Sequence, residues 1–352
     1  MAVLGIVEGY YGTPWSWQAR AETIAFLAPH GYRFYVYAPK ADAFLRERWQ
    51  EDHPRETARR LHELARTCRD RGVRFGIGLS PFEVYRDFNR VARAALARKL
   101  TFFAELGVDD LAILFDDMTG NEPDLAKKQI AVVHWLAERA TARNLIVCPT
   151  YYSDDPLLDR VFGHRPADYL EEFGARLDPS IDVFWTGEEV CSRAFSVGHL
   201  ERVGRLLGRK PFLWDNYPVN DGKRMAQYLH LRAFTGRPSA IGDHIAAHAV
   251  NPALQPVLTR IPALTLVQSY RQGEAYEYGR AFEAAADAVA GSALARLIGQ
   301  DLSLLQDSGL DGLGAAAERL RGRYRAFDHP AAREIAAWLD GAYRFRAEMA
   351  AP

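Results

Sequence analysis

The chain has 352 residues, 48% hydrophobic and 25% charged, an ordinary globular composition with room for about two domains or one large barrel plus an appendage. Its 44 basic and 45 acidic residues leave a formal charge of -1. With no one-signed field to attract nucleic acid or an anionic membrane, neither is expected as a partner.

Short apolar runs rich in β-branched and aromatic residues alternate along the chain with longer amphipathic ones. Such runs are expected of strands buried on both faces of a parallel sheet. LGIV (4–7) leads to a helical pattern over 15–29, and RFYVYAP (33–39) to one over 54–72. There Leu61, Leu64, Ala65 and Cys68 keep the i, i+3, i+4, i+7 spacing, and Gly72 supplies a stop. RFGIGLSP (74–81) precedes 90–106. LAILFDD (111–117) precedes 122–142, where Ile130, Val133, Ala137 and Ala140 share a face and Pro123 suits a first turn. LIVCPTYY (145–152), DVFWTG (182–187), PFLWDN (211–216) and AIGDHIAAH (240–248) lead to helical patterns over 165–176, 196–208, 222–234 and 252–263.

Eight strand–helix units predict an α/β fold, a (β/α)8 TIM barrel over 1–265. An open doubly wound sheet is the competitor. Its dinucleotide version needs G-x-G-x-x-G after the first strand, where this chain carries the bulky EGYYGTPW. Beyond 265 the strand pattern stops, and 281–299, 301–307, 313–326 and 330–349 read as helices of a small C-terminal helical domain, 266–352. That region carries no chemistry-bearing cluster.

Cys68, Cys148 and Cys191 fit neither a disulfide framework nor a zinc spacing, so reduced, mostly buried thiols are expected. No run reaches the roughly 20 apolar residues of a membrane helix. The opening MAVLGIVEGYYG lacks the features of a signal peptide, so a cytoplasmic location is expected.

A barrel's active site lies at the C-terminal ends of its strands. Standing there, in chain order, are Glu8, Gly9, Tyr10 and Tyr11; Lys40 and Asp42; Ser80; Asp116 and Asp117; then Cys148, Tyr151 and Tyr152. Trp185 and Thr186 follow, then Trp214, Asp215, Asn216, Asn220 and Asp221, and finally His244, His248 and Asn251. Carboxylates and amides among aromatics suit a sugar: ring faces stack on its C–H face while Asp and Asn take its hydroxyls. The set lacks a strand-end His cluster for a metal and a supported nucleophilic triad. His-x-x-x-His at 244–248 is no metal site if both lie on a strand, where i and i+4 stand ~13 Å apart. Trp15, Trp17 and Trp338 read as packing.

Asp116-Asp117 is the candidate catalytic pair because it ends LAILF, a run that tolerates two charges only if they face a polar pocket. A helix cap or rim ion pair is the alternative, and for Lys40 a plain surface lysine. The other DD pairs, 109–110 and 154–155, read as solvated charges. Two adjacent carboxylates cannot both ionise cheaply in a poorly solvated cleft, so one pKa is expected to rise. Ordinary retaining glycosidases place two carboxyls about 5–5.5 Å apart on either side of the sugar carbon. Neighbours on one strand end come from a single side. That fits a substrate supplying its own nucleophile, as a 2-acetamido sugar does when its carbonyl oxygen attacks C1 and forms an oxazoline.

GIVEGYYGTPWSWQAR, YVYAPKAD, LAILFDDM, CPTYYS, FWTG, LWDNYPVND and the later TG…NP segment together resemble the catalytic domain of glycoside hydrolase family 84, over roughly residues 3–270. That family holds the protein O-GlcNAcases and bacterial β-N-acetylglucosaminidases once named hyaluronidases. The resemblance implies a (β/α)8 domain that cleaves terminal β-linked N-acetylglucosamine with retention, through the oxazoline, without metal or organic cofactor. It implies that Asp116 polarises the acetamido group and Asp117 is the general acid/base. It further implies that Gly9, Lys40, Asn216, Asp221 and Asn251 bind the sugar. Tyr152 would contact the acetamido oxygen or reacting centre, and Trp214 would wall the acetamido pocket. The partner implied is a β-GlcNAc glycoside or glycoprotein, and relatives can dimerise, so a homodimer is compatible. Thr13 stands where the family usually has Arg, and Ala41 where it usually has Asp; both positions are expected at the rim. The alternatives are a non-catalytic GlcNAc-binding relative and a hydrolase of another 2-acetamido sugar.

Overall fold

Eight strands close into a parallel barrel in the computed structural model, which describes residues 2–345. They are β1 (Leu4–Glu8), β2 (Tyr32–Tyr37), β3 (Arg74–Leu79), β4 (Asp110–Leu114), β5 (Asn144–Cys148), β6 (Asp182–Trp185), β7 (Phe212–Asp215) and β8 (His248–Val250). Each pairs with the next in chain order, and β8 returns to β1 with Leu4 opposite His248. The strands are buried almost throughout, which explains why they read as continuous apolar runs rather than alternating ones.

The surrounding helices are α1 (Trp17–Leu27), α2 (Arg55–Asp70), α3 (Arg90–Leu106), α4 (Leu125–Ala137), α5 (Pro156–Phe162), α6 (Tyr169–Arg176), α7 (Val197–Leu207), α8 (Gly222–Met225) and α9 (Pro256–Gln272). Ser16, Asn89 and Ser196 start α1, α3 and α7, each side chain accepting a backbone N–H of the first turn. Helix α9 packs back on α1 and closes the ring. The C-terminal helices α10 (Tyr278–Ala290), α11 (Ser292–Gln306), α12 (Ala316–Arg325) and α13 (Pro330–Leu339) follow, with α10 and α13 both against α9. The expected boundary at 265/266 falls inside α9.

Four segments differ from their sequence patterns. Only the first turn of the 222–234 pattern is helical. Downstream, Leu229 N–H donates to the Leu305 carbonyl, while Leu231 and Arg232 N–H donate to the Gln306 side chain. Helix α11 thus takes donors that a helix would have used internally. The eighth strand is shorter than 240–248 suggested; Ser239–Asp243 is a 3-10 turn and only His248–Val250 joins the sheet. The 281–299 pattern is two helices, broken at Gly291 with φ 73°. The 330–349 pattern ends at Leu339, and its last residues, 346–349, lie outside the described residues.

Buried ion pairs fix the barrel where sequence suggested chemistry or solvent. Asp110 is not solvated: it is 1% exposed and held by Arg74 at 3.0 Å and Asn144 at 2.6 Å. Asp215 binds Arg237 at 2.7 Å and His248 at 3.0 Å. Burial alone would raise its carboxyl, but Arg237 and His248 hold it below the usual range. This removes His248 from any metal site, and His244 sits off the strand, 3.7 Å from Glu201. Trp15 and Trp338 are buried and donate to the Ala253 and Ala226 carbonyls, while Trp17 stacks on Tyr37. Cys68 and Cys148 are buried, in line with mostly buried thiols, while Cys191 is exposed on the loop after β6. Among the described residues, no helix is long and apolar enough to cross a membrane.

Candidate active site

The strand ends bring nearly all the sequence-predicted residues to one cavity of about 160 Å³. Gly9, Asp116, Asp117, Tyr152, Trp214, Asn216, Asp221 and Asn251 all line it. That volume is well below the roughly 300–1,000 Å³ of drug-sized sites, which suits one monosaccharide ring rather than a chain of them.

Lys40 sits beneath the paired aspartates. It is buried, and its Nζ donates to Asp116 Oδ2 and lies 3.6 Å from Asp117 Oδ2. Its backbone N–H is fixed on the Tyr10 carbonyl at 3.2 Å. The surface-lysine alternative is therefore out. Asp116 itself is 5% exposed, and its second oxygen, Oδ1, is buried without a hydrogen-bond partner. An orphaned acceptor of this kind is costly in a folded chain and leaves Oδ1 free to take a donor.

Asp117 adopts φ 57°, in the left-handed region that few side chains enter. Arg46 holds this turn by donating to the Asp117 carbonyl at 3.0 Å. Asp116 and Asp117 thereby point into one pocket from one strand end. Tyr11 donates its hydroxyl to Asp117 Oδ2 at 2.8 Å, and Tyr152 lies 3.4 Å from Oδ1.

The opposite wall is an amide network. Asn251 Oδ1 accepts the Gly9 N–H at 3.2 Å, and its amide donates to Asn216 Oδ1 at 2.9 Å. The same oxygen accepts Trp214 Nε1 at 3.0 Å, and Asn216 Nδ2 donates to the Val190 carbonyl at 2.8 Å. Trp214 is further fixed edge-on against Phe184 at 5.0 Å. Asp221 accepts the Tyr11 N–H at 2.7 Å. Burial pushes its carboxyl up to about 6, reinforced by the negative charge of Asp117.

Several strand-end residues are structural. Glu8 is fully buried and bound by Arg20 at 2.6 and 2.7 Å. Asn220 ties the Tyr228 carbonyl to Gln255, and Tyr151 donates to the Gly163 carbonyl at 2.6 Å. Asp42 caps a 3-10 turn and accepts Tyr37 at 2.9 Å. Conversely, Tyr11, placed at a strand end but given no role by the sequence, lines the cavity together with Val190 and Cys191, and Arg46 supports it from behind. Tyr11 stood beside Gly9 in the sequence; the others follow irregular loops with no periodic signal. Thr13 and Ala41 are both exposed, and neither lines the cavity.

The β-N-acetylglucosaminidase family model matches residues 4–299. The chain belongs to that family, glycoside hydrolase family 84. It is 29% identical over 279 residues to the Protein O-GlcNAcase of Mus musculus and to that of Rattus norvegicus. The match covers 76% of this chain but only 30% of either relative, so the chain spans well under half of their length. Among solved structures, a mutant of the Thermobaculum terrenum O-GlcNAc hydrolase superposes with a TM-score of 0.79 at 28% identity, covering 96% of this chain and 80% of that one.

Proposed function

We propose that this glycoside hydrolase family 84 chain is a retaining, exo-acting β-N-acetylglucosaminidase of the O-GlcNAcase kind. It would release terminal β-linked N-acetylglucosamine using the substrate's own acetamido group as nucleophile. The observation that carries the reading is the divided environment of Asp116, with Oδ2 on Lys40 and Oδ1 buried and unpartnered. An acetamido N–H would satisfy Oδ1, while Lys40 holds Oδ2 and so fixes the orientation of the carboxylate.

In the first step the acetamido oxygen attacks C1 while Asp116 orients the amide and draws on its proton. Asp117 gives a proton to the glycosidic oxygen as its bond to C1 breaks, and the oxazoline closes. In the second step Asp117 takes a proton from water, the water oxygen bonds to C1, and the carbonyl oxygen leaves. Two inversions restore the β configuration. Gly9, Lys40, Asn216, Asp221 and Asn251 hold the sugar, Tyr152 faces the acetamido oxygen, and Trp214 walls its methyl. The scheme calls on no metal or organic cofactor. The barrel, closed by α9, is the catalytic unit, with the helices after α9 as an appendage packed against it and a homodimer as the assembly to test. The substrate class is a β-GlcNAc glycoside or glycoprotein, in keeping with the names of the mammalian and bacterial relatives. Three free thiols support a reducing, cytoplasmic setting.

The test is hydrolysis of a chromogenic β-GlcNAc glycoside with the anomer of the first product read by NMR. Release of β-GlcNAc and tight inhibition by an N-acetylglucosamine thiazoline are expected. Thiazoline binding without turnover would instead make the chain a sugar-binding protein, and faster cleavage of the C4 epimer would change the substrate.

A further inference from the structure

A second cavity, of about 470 Å³, opens directly beside Asp117. It shares Tyr11, Asp117, Tyr152 and Val190 with the sugar pocket. Its remaining lining is almost wholly apolar: Phe82, Met118, Leu157, Leu158, Val161 and Phe162. Four of those six lie on α5. Among the described residues only four large apolar side chains are exposed, and two of them, Leu157 at 41% and Val161 at 62%, stand here one helical turn apart. Paired apolar exposure beside a reactive carboxylate marks a contact surface rather than chance.

The wall is tied to the acid. The Phe162 carbonyl accepts the Gly120 N–H at 2.7 Å, anchoring the end of α5 to the loop that begins at Asp117. Asp155 starts the helix by accepting the Leu157 N–H at 2.9 Å. A general acid must touch the glycosidic oxygen, so the leaving group begins within hydrogen-bond reach of Asp117. Trp214, Asn216 and Asn251 occupy the sugar side, which leaves this cavity for the other side of the bond.

We propose that the cavity is the aglycone subsite and that it selects apolar leaving groups, an alkyl or aromatic chain attached at the glycosidic oxygen; this rests on the hydrolase reading above. Methyl and n-hexyl β-N-acetylglucosaminides test it, because their leaving alkoxides are nearly equal in basicity and differ only in apolar length. Each methylene buried is worth roughly fourfold, so kcat/KM for the hexyl glycoside should exceed the methyl value by at least about tenfold. Leu157→Asp and Val161→Asp, both at exposed positions, should pull that ratio toward one, with folding checked by circular dichroism. Cleavage of both glycosides with a ratio near one in the unmodified protein would overturn the subsite alone, as would a ratio that survives both substitutions. A change of oligomeric state without a change of ratio would assign the patch to a second copy and likewise overturn it. Cleavage of neither glycoside would overturn the hydrolase reading, and this assignment with it.

Discussion

A methyl group on Gly9 would stand 2.1 Å from Cζ2 of Trp214, so the first strand's end and the seventh strand's indole touch with no space for any side chain between them. Asn216 holds the indole nitrogen and Phe184 its edge, so the indole can move only by giving up those contacts. Gly9→Ala should therefore displace Trp214 and distort the wall opposite the aspartates. Misplacement on this scale costs on the order of a hundredfold in rate. kcat/KM on a chromogenic β-GlcNAc glycoside should fall by about that factor while the thermal melt stays cooperative. Unchanged kinetics would show that Trp214 does not shape the sugar pocket.

The two aspartates should separate by leaving group. If Asp117 donates the proton, Asp117→Asn loses most on alkyl glycosides and least on aryl glycosides whose leaving group needs no acid, the difference reaching about 10²–10⁴-fold. Asp116→Asn should lose similarly on both, since the acetamido attack is common to every substrate. A plot of kcat against leaving-group pKa for each variant checks this, and equal slopes would reject the assignment.

The barrel was legible because burial on both faces writes each strand as an unbroken apolar run, and because LAILFDD can carry two charges only at a pocket. Lys40, Asn216 and Asn251 were legible from position at strand ends and from the family motifs. Other parts depend on contacts distant in sequence. Asp110 resembles a solvated charge until Arg74 and Asn144 arrive from neighbouring strands. The 222–234 pattern loses its helix to donors captured by α11, 75 residues away at Leu231 and Gln306. Arg46 gives no signal of its own, since its task is to hold a carbonyl of Asp117 that only the fold brings near.

The proposed sugar-binding role of Asp221 predicts a link between activity and pH. Its carboxyl is pushed up to about 6 by burial beside Asp117. A folded-state pKa above the unfolded value means that the stability tied to this group is complete below about 4 and is lost as pH rises through about 6. Activity runs the other way, because the ionised form accepts the Tyr11 N–H and is the one proposed to hold the sugar. kcat/KM should therefore fall as pH drops through about 6. Asp221→Asn should remove that limb, lower neutral-pH kcat/KM about ten- to a hundredfold and raise neutral-pH stability by up to about 3 kcal/mol. A pH–rate profile alongside urea titrations reads both, and an unchanged acid limb in the variant would reject the role.

Glu334 of α13 reaches back to the barrel and accepts the backbone N–H groups of Val257 and Leu258, each at 2.9 Å, at the start of α9. Those donors have no intrahelical partner, so the carboxylate acts as a cap supplied by the C-terminal helices. Burial nonetheless dominates, and the group is pushed up to about 7. The folded value lies above the unfolded one, so the stability it contributes is full below about pH 4.5 and is lost as pH rises through about 7. Glu334→Gln keeps an acceptor and removes the buried charge. It should leave stability nearly unchanged at pH 4 and raise it by up to about 3 kcal/mol at pH 8. Glu334→Ala leaves both donors without the cap and should cost about 1 kcal/mol at acid pH. Urea midpoints across that range decide: parallel profiles for the unmodified protein and Glu334→Gln would show that the carboxyl titrates normally and that the helical appendage is joined to the barrel by packing alone.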